Sequence, residues 1–496
     1  MSSAKMLKAA HMLAQNDPIE AIRAAAYRAM VPEGVAAACT GMGVTADCAS
    51  GVLCTTIEEC ATAELACTPY VYARPATGAA DMRAVRESMA LFTATGGTTS
   101  HAAVLARSWQ KPCVVGAGFS LREGTLTLQN GSVLRSGEWV TVCATTGSVW
   151  RGELKRYRDP HASGVLQALI DAADELHELP GPVVYANAET DEEVVRCIAL
   201  GAEGVGVART EHMFFGDTEL PLLRRALWPK DSVDHVEALA SLHDLLAAKC
   251  LSLMRACAGR RLAIRLLDPP AHEFADPETL LLVREENPMM GVRGARLGIL
   301  HSDIYRTQAQ AIIQAHLNLP PDRRSYLAVL LPFVTFGAEV SALREILDVP
   351  SDSGIMLGAM IETPEAVFRS PEIANEVDFL SVGTNDLLQF CLAMSRDDVA
   401  SALIPTYIAE KLVDDDPVTH LDRSASAIGL LRLMTDLTPG VPWGICGEHA
   451  ADSSSLRALL PLDPAYVSVS AAGMVCTRVE IGRHRAIQFL RNEQSR

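Results

Sequence analysis

Two rhythms of apolar and polar positions divide the 496-residue chain. From residue 183 onward, short apolar runs recur, most of them followed by a polar cluster and then by a helical stretch. The runs are Val183–Ala186, Gly204–Val207, Leu262–Arg265, Leu327–Leu330, Ile355–Gly358, Phe379–Val382, Trp443–Cys446 and Tyr466–Val469. Eight such strands over about 310 residues match the count and span of a (β/α)8 barrel, TIM type. A doubly wound sheet gives the same alternation, so counting alone leaves it as the alternative.

The first part of the chain reads differently. Residues 1–31 predict a helical arm, with Met6, Ala9, Met12 and Leu13 at helical spacing, a break at Asp17-Pro18, and a second helix from Ile19 to Met30. Residues 32–155 alternate short apolar pieces with Gly, Thr and Cys turns, which predicts a small α/β domain. Residues 156–182 predict a helical linker ending at Pro180-Gly181-Pro182, and 183–496 the barrel. Within the small domain, Gly96-Gly97 and three hydroxyl residues precede His101, and an apolar run follows it. That is a loop entering a helix, with Ser100 or Thr99 as N-cap and His101 in the first turn. Backbone N–H groups unpaired there suit an anion such as a phosphoryl group on the imidazole. An ordinary capped helix with a surface histidine has the same local sequence.

Composition narrows the class. The chain is 49% hydrophobic and 21% charged with a formal charge of −17, which argues against a nucleic-acid surface and leaves room only for a local anion pocket. Its thirteen cysteines form no CxxC pair and follow no secretory leader, so reduced, mostly buried thiols in a cytoplasmic protein are expected. No stretch is long and apolar enough to span a membrane.

The polar clusters carry the candidate chemistry. Arg209-Thr210-Glu211-His212 follows the second run, Arg265 and Asp268 the third, Glu362 the fifth, Asn385-Asp386 the sixth, and Cys446-Gly447-Glu448-His449 the seventh. In a barrel the C-terminal strand ends gather at one mouth, where catalytic groups come from several strands. Arg265, Arg293 and Arg396 suit bidentate capture of carboxylate or phosphate; surface ion pairs are the plain alternative. Glu362 and Asp386 offer hard oxygen donors for Mg²⁺, or are solvated acids. Cys446 offers a thiol for proton transfer at carbon if its surroundings tune it, or is a buried small hydrophobe.

Long motifs then identify a resemblance. GGTTSHAAVLAR (96–107), KPCVVG (111–116), GAEGVGVARTEHMFF (201–215), IRLLDPPAHEF (264–274), NPMMGVRGARLGI (287–299), MIETP (360–364), FLSVGTNDLLQF (379–390), SRDD (395–398) and GICGEH (444–449) are similar, in order, to the phosphoenolpyruvate-utilising enzyme family, in its dikinase branch. The resemblance implies a small swivelling phosphohistidine domain followed by the barrel. It implies His101 as the histidine that is phosphorylated and carried between two sites, and Thr99 as a position of regulatory phosphorylation. By the same resemblance Arg265, Arg293 and Asn385 contact phosphoenolpyruvate, Arg396 lies near its phosphoryl group, Glu362 and Asp386 bind Mg²⁺, and Cys446 adds a proton to the enolate carbon to give pyruvate. A homodimer through the barrel is also implied.

Departures accompany the match. Thr98 and Val292 replace the methionine and histidine usual in the family's motifs, and the span from Phe274 to Asn287 is short. About 30 residues precede the small domain, too few for the family's ATP-grasp domain. The expected activity is therefore a phosphotransferase half reaction between phosphoenolpyruvate and pyruvate, with a separate ATP-grasp subunit or phosphocarrier as the other partner. A donor to a small phosphocarrier, of the enzyme I kind, and a non-catalytic phosphoenolpyruvate-binding regulatory protein are the alternatives.

Overall fold

The computed structural model describes residues 3–494 apart from 33, 79–80, 98–99, 110, 215, 217, 277, 281–284 and 400–402. It divides into two compact units: residues 1–179 with 393–420 and 482–496, and residues 180–392 with 421–481.

In the first unit, helices Ser3–Gln15 and Pro18–Ala25 pack against Pro160–Glu175. Asp17 stops the first helix and caps the second, accepting from the Ile19 N–H at 2.8 Å. The second helix ends at Ala25, short of the expected Met30. Beyond it Arg28–Ala29 pairs antiparallel with Arg156–Tyr157, and the Arg156 and Arg158 guanidiniums lie over the Tyr27 ring at 5.0 and 4.3 Å. Tertiary pairing thus overrides helical spacing there.

The centre of this unit is an eight-stranded mixed sheet. Its strands Cys48–Cys54, Tyr70–Arg74, Ala90–Thr93 and Cys113–Val115 run parallel, and Trp139–Cys143 and Ser148–Arg151 are added antiparallel. A three-stranded antiparallel sheet, Phe119–Arg122, Thr125–Leu128 and Val133–Arg135, follows in the chain. The helix His101–Ser108 is the crossover between Ala90–Thr93 and Cys113–Val115, so its N-terminus follows the C-terminal end of a parallel strand. Gly96, at φ +110, makes the turn into it.

The second unit is a closed, all-parallel barrel of eight strands taken in chain order. They are β1 (Val183–Asn187), β2 (Gly204–Arg209), β3 (Arg261–Arg265), β4 (Tyr326–Val334), β5 (Met356–Ile361), β6 (Phe379–Val382), β7 (Trp443–Ile445) and β8 (Tyr466–Val469). Pairing of Val183 with Tyr466 and of Ala186 with Val469 closes the ring. Between their ends the strands are mostly apolar, because both faces are covered. One set of side chains, including Val205, Leu262, Ile264, Leu380 and Val382, packs outward beneath the helices. The other, including Val207, Ala263, Ala328, Leu330, Met360, Phe379 and Tyr466, fills the barrel interior. No helix among the described residues is long and apolar enough to cross a membrane.

Candidate active site

The C-terminal ends of the barrel strands bring five of the expected site residues to one mouth. Arg265 ends β3, Glu362 follows β5, Asn385 and Asp386 open the helix Thr384–Leu392 after β6, and Cys446 follows β7. Arg293 comes from the chain between β3 and β4, as the residue before helix Gly294–Leu300. A parallel barrel gathers these residues from positions up to 181 apart in sequence, which no local motif can do.

Both arginines are buried and held by acids. Arg265 is 9% exposed and Arg293 4%. Arg265 Nη2 donates to the Glu211 carboxylate, and its Nη1 lies 3.7 Å from Asp268. Arg293 grips Asp268 with two bonds, Nε to Oδ1 at 2.8 Å and Nη2 to Oδ2 at 2.5 Å, and also reaches Asp386 Oδ2 at 3.1 Å. Its guanidinium lies 4.4 Å from the Phe333 ring centroid. Asp268 therefore bridges the two guanidiniums and fixes them facing one site. The Nε of Arg265 and Oε2 of Glu211 are buried with no hydrogen-bond partner among the described residues. Buried polar atoms of this kind call for a partner that the described residues do not supply.

Glu362 and Asp386 form the acidic half of the mouth. Burial, and then the neighbouring Asp386 charge, push the Glu362 carboxyl up to about 8. Burial also pushes Asp386 upward, but the Arg293 charge and hydrogen bonds from Arg293 and Glu362 outweigh it and hold Asp386 below the usual carboxylate range. Two buried acids in contact thus share one proton. Glu362 Oε1 accepts from the Phe333 N–H at 2.9 Å, and a Cβ at residue 383 would sit 2.5 Å from Glu362 Oε2, so glycine at 383 leaves space for the carboxylate. Oxygen donors from adjacent strand ends, able to lose a shared proton, fit a hard divalent cation.

Cys446 is 8% exposed, and burial pushes its thiol up to about 11. It holds its proton at neutral pH, which is the state of a proton donor. Asn385 Oδ1 accepts from the Glu448 N–H at 2.9 Å, and His449 Nδ1 lies 2.9 Å from Thr384 Oγ1. These bonds join the β6 and β7 loops. On the β1–β2 side, Arg209 Nε donates to Glu189 at 2.9 Å. Burial and the charges of Arg209 and Arg265 hold His212 well below its usual range, as a neutral ring.

The remaining expected residues lie in the first unit. His101 is the first residue of its helix, and Ser100 precedes it with extended backbone. The Ser100 hydroxyl donates to Gly97 O at 2.8 Å rather than capping the helix through its side chain. Thr99 lies outside the described residues. Arg396 begins the short helix Arg396–Val399, within residues 393–420 of the first unit.

Four further groups of the mouth carried no assigned role in the sequence reading. Glu211 and Asp268 stand there only as polar strand-end residues, although the Asp268-Pro269-Pro270 turn marks a fixed chain direction. Phe333 sits inside an apolar run and Ser381 inside a strand, and neither position has a local sequence signal.

Comparison with known proteins matches both parts of the chain. Residues 166–486 match the PEP-binding domain of PEP-utilising enzymes, and residues 68–147 match their mobile domain. The chain is 34% identical over 446 residues to a pyruvate, phosphate dikinase of Rickettsia felis, covering 82% of this chain and 50% of that protein. It is 33% identical over 491 residues to pyruvate, phosphate dikinase 2 of Zea mays, covering 91% and 54%. A chloroplastic pyruvate, phosphate dikinase of Mesembryanthemum crystallinum is 32% identical, with 91% and 50% covered. The chain spans about half the length of the curated relatives it matches. With both the barrel and the small domain matched in order, the chain belongs to the phosphoenolpyruvate-utilising enzyme family.

Proposed function

We propose that the chain catalyses a pyruvate, phosphate dikinase-like half reaction, moving a phosphoryl group between phosphoenolpyruvate and His101 with pyruvate as the carbon product. The observation that carries this reading is the convergence at one barrel mouth of two acid-held arginines, a proton-sharing carboxylate pair and a protonated thiol. Each answers one need of the chemistry.

Arg265 and Arg293 take the phosphate and carboxylate oxygens of the substrate. Their present partners Glu211, Asp268 and Asp386 hold them aimed before it arrives. Asn385 contacts the substrate through its amide. A ring nitrogen of His101 attacks phosphorus, so the nitrogen–phosphorus bond forms as the phosphorus–oxygen bond of the enol phosphate breaks. Cys446 then gives its proton to the methylene carbon of the enolate, completing pyruvate. Glu362 and Asp386 are the residues that would hold Mg²⁺, which would supply positive charge to offset that of the phosphoryl and enolate oxygens. Arg396 and Thr99 are assigned supporting roles, as a phosphoryl-group contact and a regulatory hydroxyl.

The remaining half of a full cycle falls to a separate ATP-grasp subunit or a small phosphocarrier. A homodimer through the barrel fits the exposed Met290, Leu300, Phe336 and Phe368, at 45–65% exposure, on or next to helical segments after β3, β4 and β5. The half reaction is tested by isotope exchange. Labelled pyruvate incubated with the chain, Mg²⁺ and unlabelled phosphoenolpyruvate, with no nucleotide, is expected to pass its label into phosphoenolpyruvate. Absence of exchange at saturating concentrations contradicts the reading.

A further inference from the structure

We infer that Ser381 is a positioning residue for Cys446: its hydroxyl holds the sulfur in place and takes up the charge left there when the proton passes to carbon. The inference deepens, and rests on, the reading of Cys446 as the proton donor.

The strand β6 sorts its side chains by parity. Leu380 and Val382 point outward beneath the helices, and Phe379 joins the interior cluster with Cys446 and Tyr466. Ser381 shares the inward parity of Phe379. It is fully buried, at 0% exposure, in an interior otherwise filled by Val207, Ala263, Leu330, Met360 and Phe379. A hydroxyl in such a place is costly unless it is bonded; Oγ donates to Cys446 Sγ at 3.4 Å and is also within hydrogen-bond reach of the Tyr466 phenol. The thiol proton points in turn at Val382 O, 3.5 Å away.

The backbone around the cysteine is clamped separately. Cys446 N donates to Val382 O at 3.2 Å. Its carbonyl accepts from Asn187 Nδ2 at 3.0 Å, and Asn187 Oδ1 accepts from Ser468 Oγ at 2.6 Å. Ser381 therefore acts on the sulfur rather than on the chain.

The groups facing the sulfur explain why an uncharged donor matters. Burial and Glu362 after β5 oppose negative charge there, while Arg265 from β3 and Arg209 from β2 favour it; the Tyr466 phenol of β8, which burial keeps protonated, adds no charge. Both arginines are engaged by acids, Glu211 and Glu189. When the S–H bond breaks, its electron pair stays on sulfur, the enolate's electrons form the new C–H bond, and the hydroxyl bond of Ser381 becomes charge-assisted. Water returns the proton to sulfur before the next turnover. A hydroxyl bonded to a neutral thiol gains little; bonded to the thiolate it gains much more, so it favours the product side of the proton transfer.

The test compares wild type, Ser381→Ala, Ser381→Thr and Cys446→Ala, each checked for cooperative thermal unfolding. The iodoacetamide alkylation rate of the Cys446 peptide is read by mass spectrometry at pH 8, and the single-turnover rate of pyruvate formation from phosphoenolpyruvate is read alongside. S381A is expected to slow alkylation and the burst by roughly tenfold each, a shift of about one unit in thiol acidity, with phosphoenolpyruvate affinity unchanged. S381T, which keeps the hydroxyl, is expected to recover both. A merely structural serine would predict the opposite for alkylation, since loosened packing exposes the thiol and speeds it. Alkylation in S381A at or above the wild-type rate, with C446A unable to release pyruvate at the wild-type rate, overturns the role of Ser381 alone. A C446A burst at the wild-type rate removes Cys446 as the acid, and the role of Ser381 with it.

Discussion

A cation held by Glu362 and Asp386, as proposed above, would displace the proton they share, and this ties metal binding to pH. With Glu362 raised to about 8, Mg²⁺ binding at pH 7 must expel that proton, and at pH 9 it need not. Calorimetric titration in buffers of different ionisation enthalpy is expected to show release of about one proton per Mg²⁺ at pH 7 and close to none at pH 9. Equal heats in all buffers at pH 7 contradict the shared proton. The same group shapes metal-free stability. The folded protein holds a proton on Glu362 that the unfolded chain loses near 4.5, so this carboxyl costs stability progressively as pH rises from about 4.5 to 8. Asp386, lowered from its usual 3.8, acts oppositely and adds stability that is lost on acidification. Glu362→Gln keeps an acceptor for the Phe333 N–H and removes the charge. It is expected to raise metal-free stability at pH 8 by roughly 1–3 kcal/mol while abolishing the Mg²⁺ heat. Arg293→Met is its counterpart: leaving Asp268 and Asp386 buried and unpaired is expected to cost about 3–5 kcal/mol in denaturant unfolding, and a loss under about 1 kcal/mol means the pairs are not the anchor described.

At the scale of elements, β4 has the least expected feature. Phe333 adopts φ +53 near the end of the strand, a conformation that costs a bulky residue about 1–3 kcal/mol. The turn aims its N–H at Glu362 and sets its ring beneath Arg293 and against Phe390, with centroids 5.8 Å apart. Among variants that remove the ring, Phe333→Gly is therefore expected to be more stable than Phe333→Ala by about 1 kcal/mol, reversing the usual order of glycine and alanine in a strand; alanine the more stable of the two contradicts a strained turn. Nothing in the apolar run Leu330-Leu331-Pro332-Phe333-Val334 signals this, because the strain is set by the acid and arginine it serves, not by neighbours in sequence. The strands themselves were legible. Phe379–Val382 and Tyr466–Val469 keep their expected bounds and β7 ends one residue before Cys446, because doubly covered strands are mostly apolar along their length. The charged residues at strand ends were legible as candidates for the same reason, since polarity returns where the cover stops. The pairing of acids with arginines was not, because Glu211, Asp268 and Asp386 reach their partners only once the barrel closes.

At the scale of the whole molecule, the chain carries a barrel whose mouth gathers Arg265, Arg293, Glu362, Asp386 and Cys446 and a small domain whose His101 opens a helix. Both parts match the family in chain order. The most direct measurement is a single-turnover incubation of the purified chain with phosphoenolpyruvate and Mg²⁺ at mildly basic pH, reading pyruvate by a coupled assay and the protein by intact-mass spectrometry. The account predicts a burst of about one pyruvate per chain, with an acid-labile gain of one phosphoryl group that disappears in His101→Ala. No burst and no mass gain, with phosphoenolpyruvate bound, would contradict it and leave a phosphoenolpyruvate-binding protein without turnover.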